Sequence, residues 1–451
     1  MNEEKEKNRK ISRRAALKYM SAGVLGAAGI YFGVKNKEAI VQKFSQFGSS
    51  PTPDAEGKVT TRQDKILNSP VSLLGFGCMR LPLKEEGKTE IDEEKAMAMV
   101  DYAYRHGVNY FDTAWFYHQG MSETFIGKAM KQYPRDSFYM VTKMPGRIVE
   151  SLDHAKQIFE QQLQKCQVEY FDFYMLHSVS TKENYQKVYH EYGVLDYLLQ
   201  QKKEGRIRRL GVSFHGITEE FPWFLDQHKW DFCMIQANYY DWKVFSEFLY
   251  TEATKRNIQC VIMEPVRGGM LASLTPQAAK VFTDADPNRS IASWAVQYIA
   301  SLPNVMTVLS GMTTMEQVQD NVKTLTDFKP MSAAQYEVVE RALKAFLTLS
   351  PVPCTECQYC MPCPFGVNIP GSFHAYNKSV TEGAVPNLRD SRDSDFERRK
   401  RAFLANMNTL PESAQPTGCT NCKVCLNKCP QKIEIANKFK EISQLMKELK
   451  K

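Results

Sequence analysis

No stretch of this 451-residue chain gathers its lysines and arginines into a dense basic stripe. The net charge is only +7 and the excess is scattered, so the electrostatic footprint of a nucleic-acid binder is missing. The chain is not short of apolar residues either. A hydrophobic share of 43% excludes intrinsic disorder and suits a folded, soluble core of two or three domains. A dinucleotide fingerprint Gly-x-Gly-x-x-Gly does not bridge a first strand and helix, because Gly75-Phe76-Gly77 stops short of it, which weakens a Rossmann domain as the rival fold. Nothing in the sequence marks a flavin.

Cysteine, by contrast, is plentiful and unevenly placed. Of twelve, Cys78, Cys166, Cys233 and Cys260 stand alone, and the other eight form two tight groups. A disulfide framework does not cluster this way, and fixed short spacing points to metal. The first group is Cys354-x2-Cys357-x2-Cys360-x2-Cys363-Pro364 and the second Cys419-x2-Cys422-x2-Cys425-x3-Cys429-Pro430. Four cysteines in so few residues, ending in Cys-Pro, are similar to the ligand runs of ferredoxins, where thiolates hold cubane clusters. Structural zinc is the alternative for paired Cys-x2-Cys units, but zinc usually separates its pairs by a longer loop. In two-cluster ferredoxins the fourth cysteine of each run ligates the other cluster. That resemblance implies one [4Fe-4S] cluster on Cys354, Cys357, Cys360 and Cys429, and a second on Cys419, Cys422, Cys425 and Cys363. The first run departs from the pattern, with x2 rather than x3 before Cys363.

The N-terminus is set aside before the fold is read. Ser12-Arg13-Arg14-Ala15-Ala16-Leu17-Lys18 precedes an uncharged, glycine-rich run from Tyr19 to Val34. The motif resembles a twin-arginine export signal, with Ala16 where the family usually has Phe. The run is shorter than the roughly 20 residues of a comfortable spanning helix, which favours a signal over a permanent anchor. No clear Ala-x-Ala site follows, so an uncleaved tether stays open beside cleavage. A basic flank on a hydrophobic anchor is the alternative. The signal implies a periplasmic protein, or one tethered to the membrane and facing the periplasm, with membrane contact only through this segment. It suits a protein that is exported already folded around its cofactors. The domains expected are the signal at 1–34, a linker at 35–64, a catalytic barrel at 65–330 and a helical extension with the cluster domain at 331–451.

Between residues 71 and 328, short apolar runs alternate with amphipathic ones. The strand-like runs are Leu73–Met79, Val108–Thr113, Phe138–Lys143, Phe171–His177, Arg209–Phe214, Phe232–Asn238, Ile258–Pro265 and Val305–Gly311. Helical periods include Glu93–Arg105, His154–Lys165, Trp242–Lys255 and Ser290–Ala300. Eight near-continuous apolar strands separated mostly by helices predict an α/β fold, a (β/α)8 TIM barrel, followed by a small α-rich ferredoxin-like iron–sulfur domain. Another helix is expected at Gln335–Leu349.

Active sites of such barrels lie at the C-terminal strand ends. Asp112 ends the second run, with Tyr117 in the loop after it, while Lys143 ends the third and His177 the fourth. Alone, each has an ordinary structural explanation. Together they are chemically matched, because an ammonium beside a tyrosine favours the phenolate and makes the phenol a stronger acid. Asp112 would hold the ammonium, and a neutral His177 would donate to a carbonyl oxygen as charge develops on it.

These residues, with Ser122-Glu123, Gly211-Val212-Ser213, Gln236-Ala237-Asn238-Tyr239 and Asn321, resemble the aldo/keto reductases over roughly residues 65–330. The resemblance implies that Tyr117 is the general acid, that Lys143 and Asp112 tune it, and that His177 orients a carbonyl. It implies a nicotinamide cofactor, NAD(H) or NADP(H), because no side chain supplies hydride. Ser213, Gln236 and Asn238 would bind the carboxamide. Tyr239 would stack on the ring, with plain wall packing the alternative for Tyr239 and Tyr240. Gly268, Gly269, Ser310 and Gly311 would line the pyrophosphate, and Gln317, Asp320 and Asn321 the adenine end. Residues 311–321 carry no cation for a 2′-phosphate, although Lys323 lies nearby, so no strong NADP preference is expected.

The function implied is hydride transfer between nicotinamide and a small carbonyl or alcohol, coupled or regulated through two clusters, with a redox protein as a further partner. The alternative is a ferredoxin-like electron carrier or redox sensor whose barrel is a non-catalytic scaffold. Substrate identity and oligomeric state are not legible. Nicotinamide moves electrons in pairs and a cubane singly, and free nucleotide is scarce outside the cytoplasm. The nucleotide is therefore expected to travel bound within the folded protein.

Overall fold

The computed structural model describes residues 57–450 except 67, 86–88, 348–350, 387 and 389–394. The expected export signal at 1–34 and residues 35–56 of the expected linker lie outside the described residues.

Two short strands, β1 (Thr61–Gln63) and β2 (Pro70–Ser72), pair antiparallel. The linker expected to run to residue 64 therefore ends earlier, since Val59, Thr60 and Asp64 are buried. Eight parallel strands follow: β3 (Leu74–Gly77), β4 (Tyr110–Asp112), β5 (Tyr139–Met144), β6 (Phe171–Val179), β7 (Ile207–Phe214), β8 (Phe232–Gln236), β9 (Gln259–Met263) and β10 (Val305–Gly311). They close into a barrel in sequence order, with β10 pairing back on β3. The strands read as apolar runs because both faces are covered: their inner side chains fill the barrel and their outer ones meet helices. Tyr110, Phe173, Phe232, Met234 and Met306 share one packed interior cluster, so the barrel is a core and not a pore.

Local chemistry sets the helix ends. In Glu93–Arg105 the Asp92 side chain accepts the Lys95 backbone N–H, Glu93 and Glu94 sit in the first turn and Arg105 in the last, all favourable to the helix dipole. Ala96, Met99, Val100 and Ala103 form its buried face, the stripe expected of a helix lying on a sheet. The helix Leu152–Cys166 starts on a Ser151 cap and stops where Gln167 turns left-handed at φ 54°.

At one end of the barrel, Arg209 on β7 and Asp64 in the β1–β2 connection are both essentially inaccessible to solvent and joined through two guanidinium nitrogens, with Nε 2.6 Å from Oδ2. Arg209 also lies 4.9 Å over the Phe173 ring. The hairpin thus plugs the barrel floor with a buried ion pair.

After the barrel, the helix Ala333–Leu347 shares a hydrophobic cluster with the helical shell, including Leu271, Phe282 and Trp294. The last segment folds around Phe373, Phe403, Phe439 and Met446, contributed by helices Ile369–Thr381, Phe396–Met407 and Ile435–Leu449. Six of the eight clustered cysteines border that small core. Among the described residues, no helix is long and apolar enough to cross a membrane.

Removing one partner of the floor pair strands a buried charge, which costs about 3–5 kcal/mol. Asp64→Ala is expected to lower stability to denaturant by that order, and adding Arg209→Met to recover most of it.

Candidate active site

Strand β4 places Asp112 and β5 places Lys143 side by side at the C-terminal rim of the barrel. Both are almost fully buried, and Lys143 Nζ donates to Asp112 Oδ1 at 2.6 Å and to the Thr113 carbonyl at 2.7 Å. The ammonium lies 4.9 Å from the centre of the Tyr117 ring. His177 meets Tyr117 edge-on, with ring centroids 6.2 Å apart. A register shift in β6 between Leu176 and Val179, with Ser178 at φ 53°, turns the strand at His177, as bulges do where a side chain must be re-aimed.

A second layer holds these groups in place. Ser122 Oγ donates to the Cys78 carbonyl at 3.0 Å and pairs with Thr113 Oγ1 at 2.8 Å. Glu123 is fully buried and accepts from Thr142 and Gln162, each at 2.7 Å, while Gln162 also donates to the Lys143 carbonyl at 3.0 Å. The loop carrying Tyr117 turns through left-handed His118 and Gln119 into Gly120 at φ 89°, and His118 Nε2 accepts the Leu81 N–H at 3.1 Å.

Electrostatics differ from the sequence expectation at one group. Burial first, and then the Asp112 carboxylate, pushes the Tyr117 phenol well above its ordinary value. Burial and the neighbouring acidic groups outweigh the lowering expected from Lys143. The Tyr117 hydroxyl is therefore protonated near pH 7. Burial, and next Lys143, holds His177 well below the ordinary histidine range, so it is neutral near pH 7. His177 Nδ1 and Asp112 Oδ2 are buried without a partner among the described residues, and a buried polar atom left unpaired calls for a ligand or water.

A continuous cavity runs from Tyr117, Lys143 and His177 past Ser213, Gly268, Gly269, Ser310 and Gly311 to Gln317, Asp320 and Asn321. Asn321 Nδ2 donates to Ser310 Oγ at 2.8 Å, and Asp320 accepts from Ser290 Oγ at 2.6 Å. Gln317 caps its helix, accepting the Thr313 N–H at 2.7 Å.

Three residues expected at the nicotinamide have their side chains engaged elsewhere. Tyr239 packs in the helical shell against Phe282 and Tyr298, so no ring stacking is available to it. Asn238 is closed into a network with Asp241 and the Glu264 carbonyl. Gln236 donates to Asp241 at 2.8 Å and exchanges amide hydrogen bonds with Gln431 at 2.9 and 3.2 Å. Gly268, expected to admit a pyrophosphate, instead admits Thr355: a Cβ there would lie 2.6 Å from Thr355 Cα.

Residues that carried no motif complete the cavity. Met263 and Glu264 line it from the end of β9 and Arg80 from the loop after β3. Burial raises the Glu264 carboxyl above its usual range, against the pull of Arg80 and Arg267. Opposite them stand Thr355, Cys357, Tyr359, Pro430 and Gln431 from the cysteine-rich segment. Arg80 donates to the Thr355 carbonyl, and Arg147 lies between the Phe116 and Tyr359 rings, 5.0 and 4.9 Å from their centres.

The clustered cysteines surround two small cavities. Cys354, Cys357, Cys360 and Cys429 line the first. Cys363, Cys419, Cys422 and Cys425 line the second, with Cys360 between the two. Burial pushes the Cys354 and Cys360 thiols up to about 12, so these sulfurs need the charge of a metal to become thiolates.

Comparison with known proteins agrees with this division. The sequence profile of the aldo/keto reductase family matches residues 73–344, and that of a 4Fe-4S dicluster domain matches residues 353–434. The chain is similar to an L-galactose dehydrogenase of Arabidopsis thaliana, 25% identical over 60% of this chain and 89% of that protein. It is also similar to an NADH-specific methylglyoxal reductase of Escherichia coli, 22% identical over 56% of this chain and 90% of that one. Among solved structures, the holo form of an aldo-keto reductase from Bacillus halodurans superposes with a TM-score of 0.53 at 25% identity, covering 63% of this chain and 96% of its own.

Proposed function

The chain belongs to the aldo/keto reductase family, with a 4Fe-4S domain appended, and from that premise we propose that it transfers hydride between a nicotinamide nucleotide and a small carbonyl or alcohol. The observation that carries this reading is the convergence of Asp112, Tyr117, Lys143 and His177 at one end of the long cavity. Bound nicotinamide would supply the hydride. The cavity suits it in the chemistry of its lining: Ser213 lies near the catalytic end, Ser310, Gly311 and Gly269 line the middle, and Gln317, Asp320 and Asn321 the far end. Around Gly269, at φ 96°, the space is open.

Reduction needs a proton donor and an oxyanion partner at the same oxygen. The Tyr117 hydroxyl is the donor. Neutral His177, which lines the cavity, donates a hydrogen bond and fixes the carbonyl. Lys143, anchored by Asp112 and the Thr113 carbonyl, stabilises the phenolate left behind, and the same groups act in reverse for oxidation. At the far end a carboxylate, Asp320, faces the cavity, and the nearby Arg289 is engaged by Trp294 and Ser293. Among the described residues lining that end there is no cation for a 2′-phosphate, which favours NAD(H).

The two cysteine cavities suit one cubane each. Cys354, Cys357, Cys360 and Cys429 would hold the first, and Cys363, Cys419, Cys422 and Cys425 the second. Coupling or regulation of the barrel through these clusters is part of the reading, supported by the border that the first cysteine cavity shares with the barrel cavity at Thr355, Cys357, Pro430 and Gln431. Export by the twin-arginine route to the periplasm rests on Arg13 and Arg14. Replacing both with Lys is expected to keep the protein in the cytoplasmic fraction, and unchanged export would overturn that assignment.

Tyr117→Phe removes the proton donor and leaves the pocket's shape. A fall in kcat of about 10²–10⁴-fold on an accepted carbonyl is expected, measured by NADH consumption under anaerobic conditions. Unchanged turnover would remove Tyr117 from the acid role.

A further inference from the structure

Among the described residues, one cation beside the catalytic end of the cavity has no carboxylate to answer it. Arg147 stands exposed in the loop between β5 and the helix Leu152–Cys166. It has no hydrogen-bond acceptor and no acidic partner among the described residues, and it lies against two rings instead, with Cζ 5.0 Å from the centre of Phe116 and 4.9 Å from that of Tyr359. Phe116 precedes Tyr117 in the chain, and its ring lies 6.1 Å from that of His177. Tyr359 stands between Cys357 and Cys360 in the first cysteine run and lines the cavity. Two rings thus position the guanidinium and leave its N–H groups for another acceptor. The surrounding groups agree in sign. His177 and His215 both line the cavity, and burial first, then cations that include Lys143 and Arg147, hold both below the ordinary histidine range. No carboxylate enters either balance. The acids of the cavity are answered elsewhere: Asp112 by Lys143, Glu264 by Arg80 and Arg267.

Resting on the hydride-transfer reading above, we propose that the substrate is a carbonyl or alcohol that carries a carboxylate, and that Arg147 binds that carboxylate. Tyr117 and His177 engage the oxygen that reacts, and Arg147 holds the other end of the substrate at the rim, beside Tyr359. A guanidinium presents its donors in a fixed fork that matches the two oxygens of a carboxylate. A single unanswered cation also suits a single negative charge. A phosphate ester, close to doubly charged at neutral pH, calls for a second cation, and Lys143 is taken by Asp112. The cluster loop then has a part in the choice of substrate, because Tyr359 is one of the two rings that position the guanidinium.

The test compares acids with their amides, which share a reacting carbonyl and differ in charge. Pyruvate with pyruvamide gives a short spacing between carbonyl and charge, and 4-carboxybenzaldehyde with 4-carbamoylbenzaldehyde a long one. The full chain, purified anaerobically with its clusters, is assayed with NADH and with NADPH, and binding of each nucleotide is measured by equilibrium dialysis. In at least one pair the acid is expected to exceed its amide in kcat/KM by about tenfold or more. Arg147→Gln is expected to lower that ratio by about fivefold or more, chiefly through the KM of the acid. Arg147→Lys, which keeps the charge and loses the fork, is expected to lower it less. Each ratio is taken within one preparation, so a variant that folds in part is still informative. A smaller preference in both pairs, or a smaller effect of Arg147→Gln, would overturn the proposal. An unmodified chain that binds nucleotide and reduces none of the four compounds would overturn it as well, with nicotinamide binding intact. Binding of neither NADH nor NADPH at millimolar concentration would overturn the hydride-transfer reading itself, and this inference with it.

Discussion

A backbone contact too close for any side chain joins the two halves of this protein. Gly268, at the mouth of the barrel, lies against Thr355 of the first cysteine run, and the rest of the site is arranged around that approach. Once the cysteine loop is seated there, Arg80 can reach the Thr355 carbonyl, Gln236 can pair with Gln431, and Tyr359 can close on Arg147. The barrel's rim is already the place where a (β/α)8 fold puts its chemistry. Here the appended domain covers that rim.

Charge in the catalytic corner is arranged by burial. Lys143 and Asp112 are sealed together, a costly arrangement unless the pair is closely hydrogen-bonded, and the Thr113 carbonyl supplies the additional bond. Burial and the neighbouring Asp112 carboxylate outweigh the ammonium at Tyr117 and keep the phenol protonated, while burial and Lys143 keep His177 neutral. In the proposed reaction these are two donors without net charge for one carbonyl oxygen. Such donors favour the developing negative charge of a transition state without first having to release a strongly bound water or counter-ion.

Much of the fold was legible because the strands are buried on both faces and so appear as unbroken apolar runs. All eight were found, and the helix Glu93–Arg105 has the bounds its helical period predicted. The floor hairpin was missed, since three-residue strands such as Thr61–Gln63 carry too little periodicity to read. In the site, residues at strand ends could be located because the fold dictates where those ends go. Residues just beyond them could not. Tyr239 turns outward into the helical shell, where Phe282 and Tyr298 offer it apolar contacts; even at a strand end, Gln236 is drawn away to Gln431. The need for a small residue at Gly268 was readable, but its partner was not, because Thr355 lies far along the chain and no local pattern records the contact. Arg80, Glu264 and Tyr359 sit in loops without a motif and only the folded cavity brings them in.

The central claim is that the barrel cavity and the first cluster site share a wall. Electron paramagnetic resonance of the dithionite-reduced full chain, recorded with and without NADH at concentrations where dialysis shows binding, tests it most directly. The account predicts that NADH alters the signal of the cluster held by Cys354, Cys357, Cys360 and Cys429, assigned by the spectrum of a Cys419→Ser variant, and leaves the other cluster's signal unchanged. Bound NADH with both signals unaltered would contradict it.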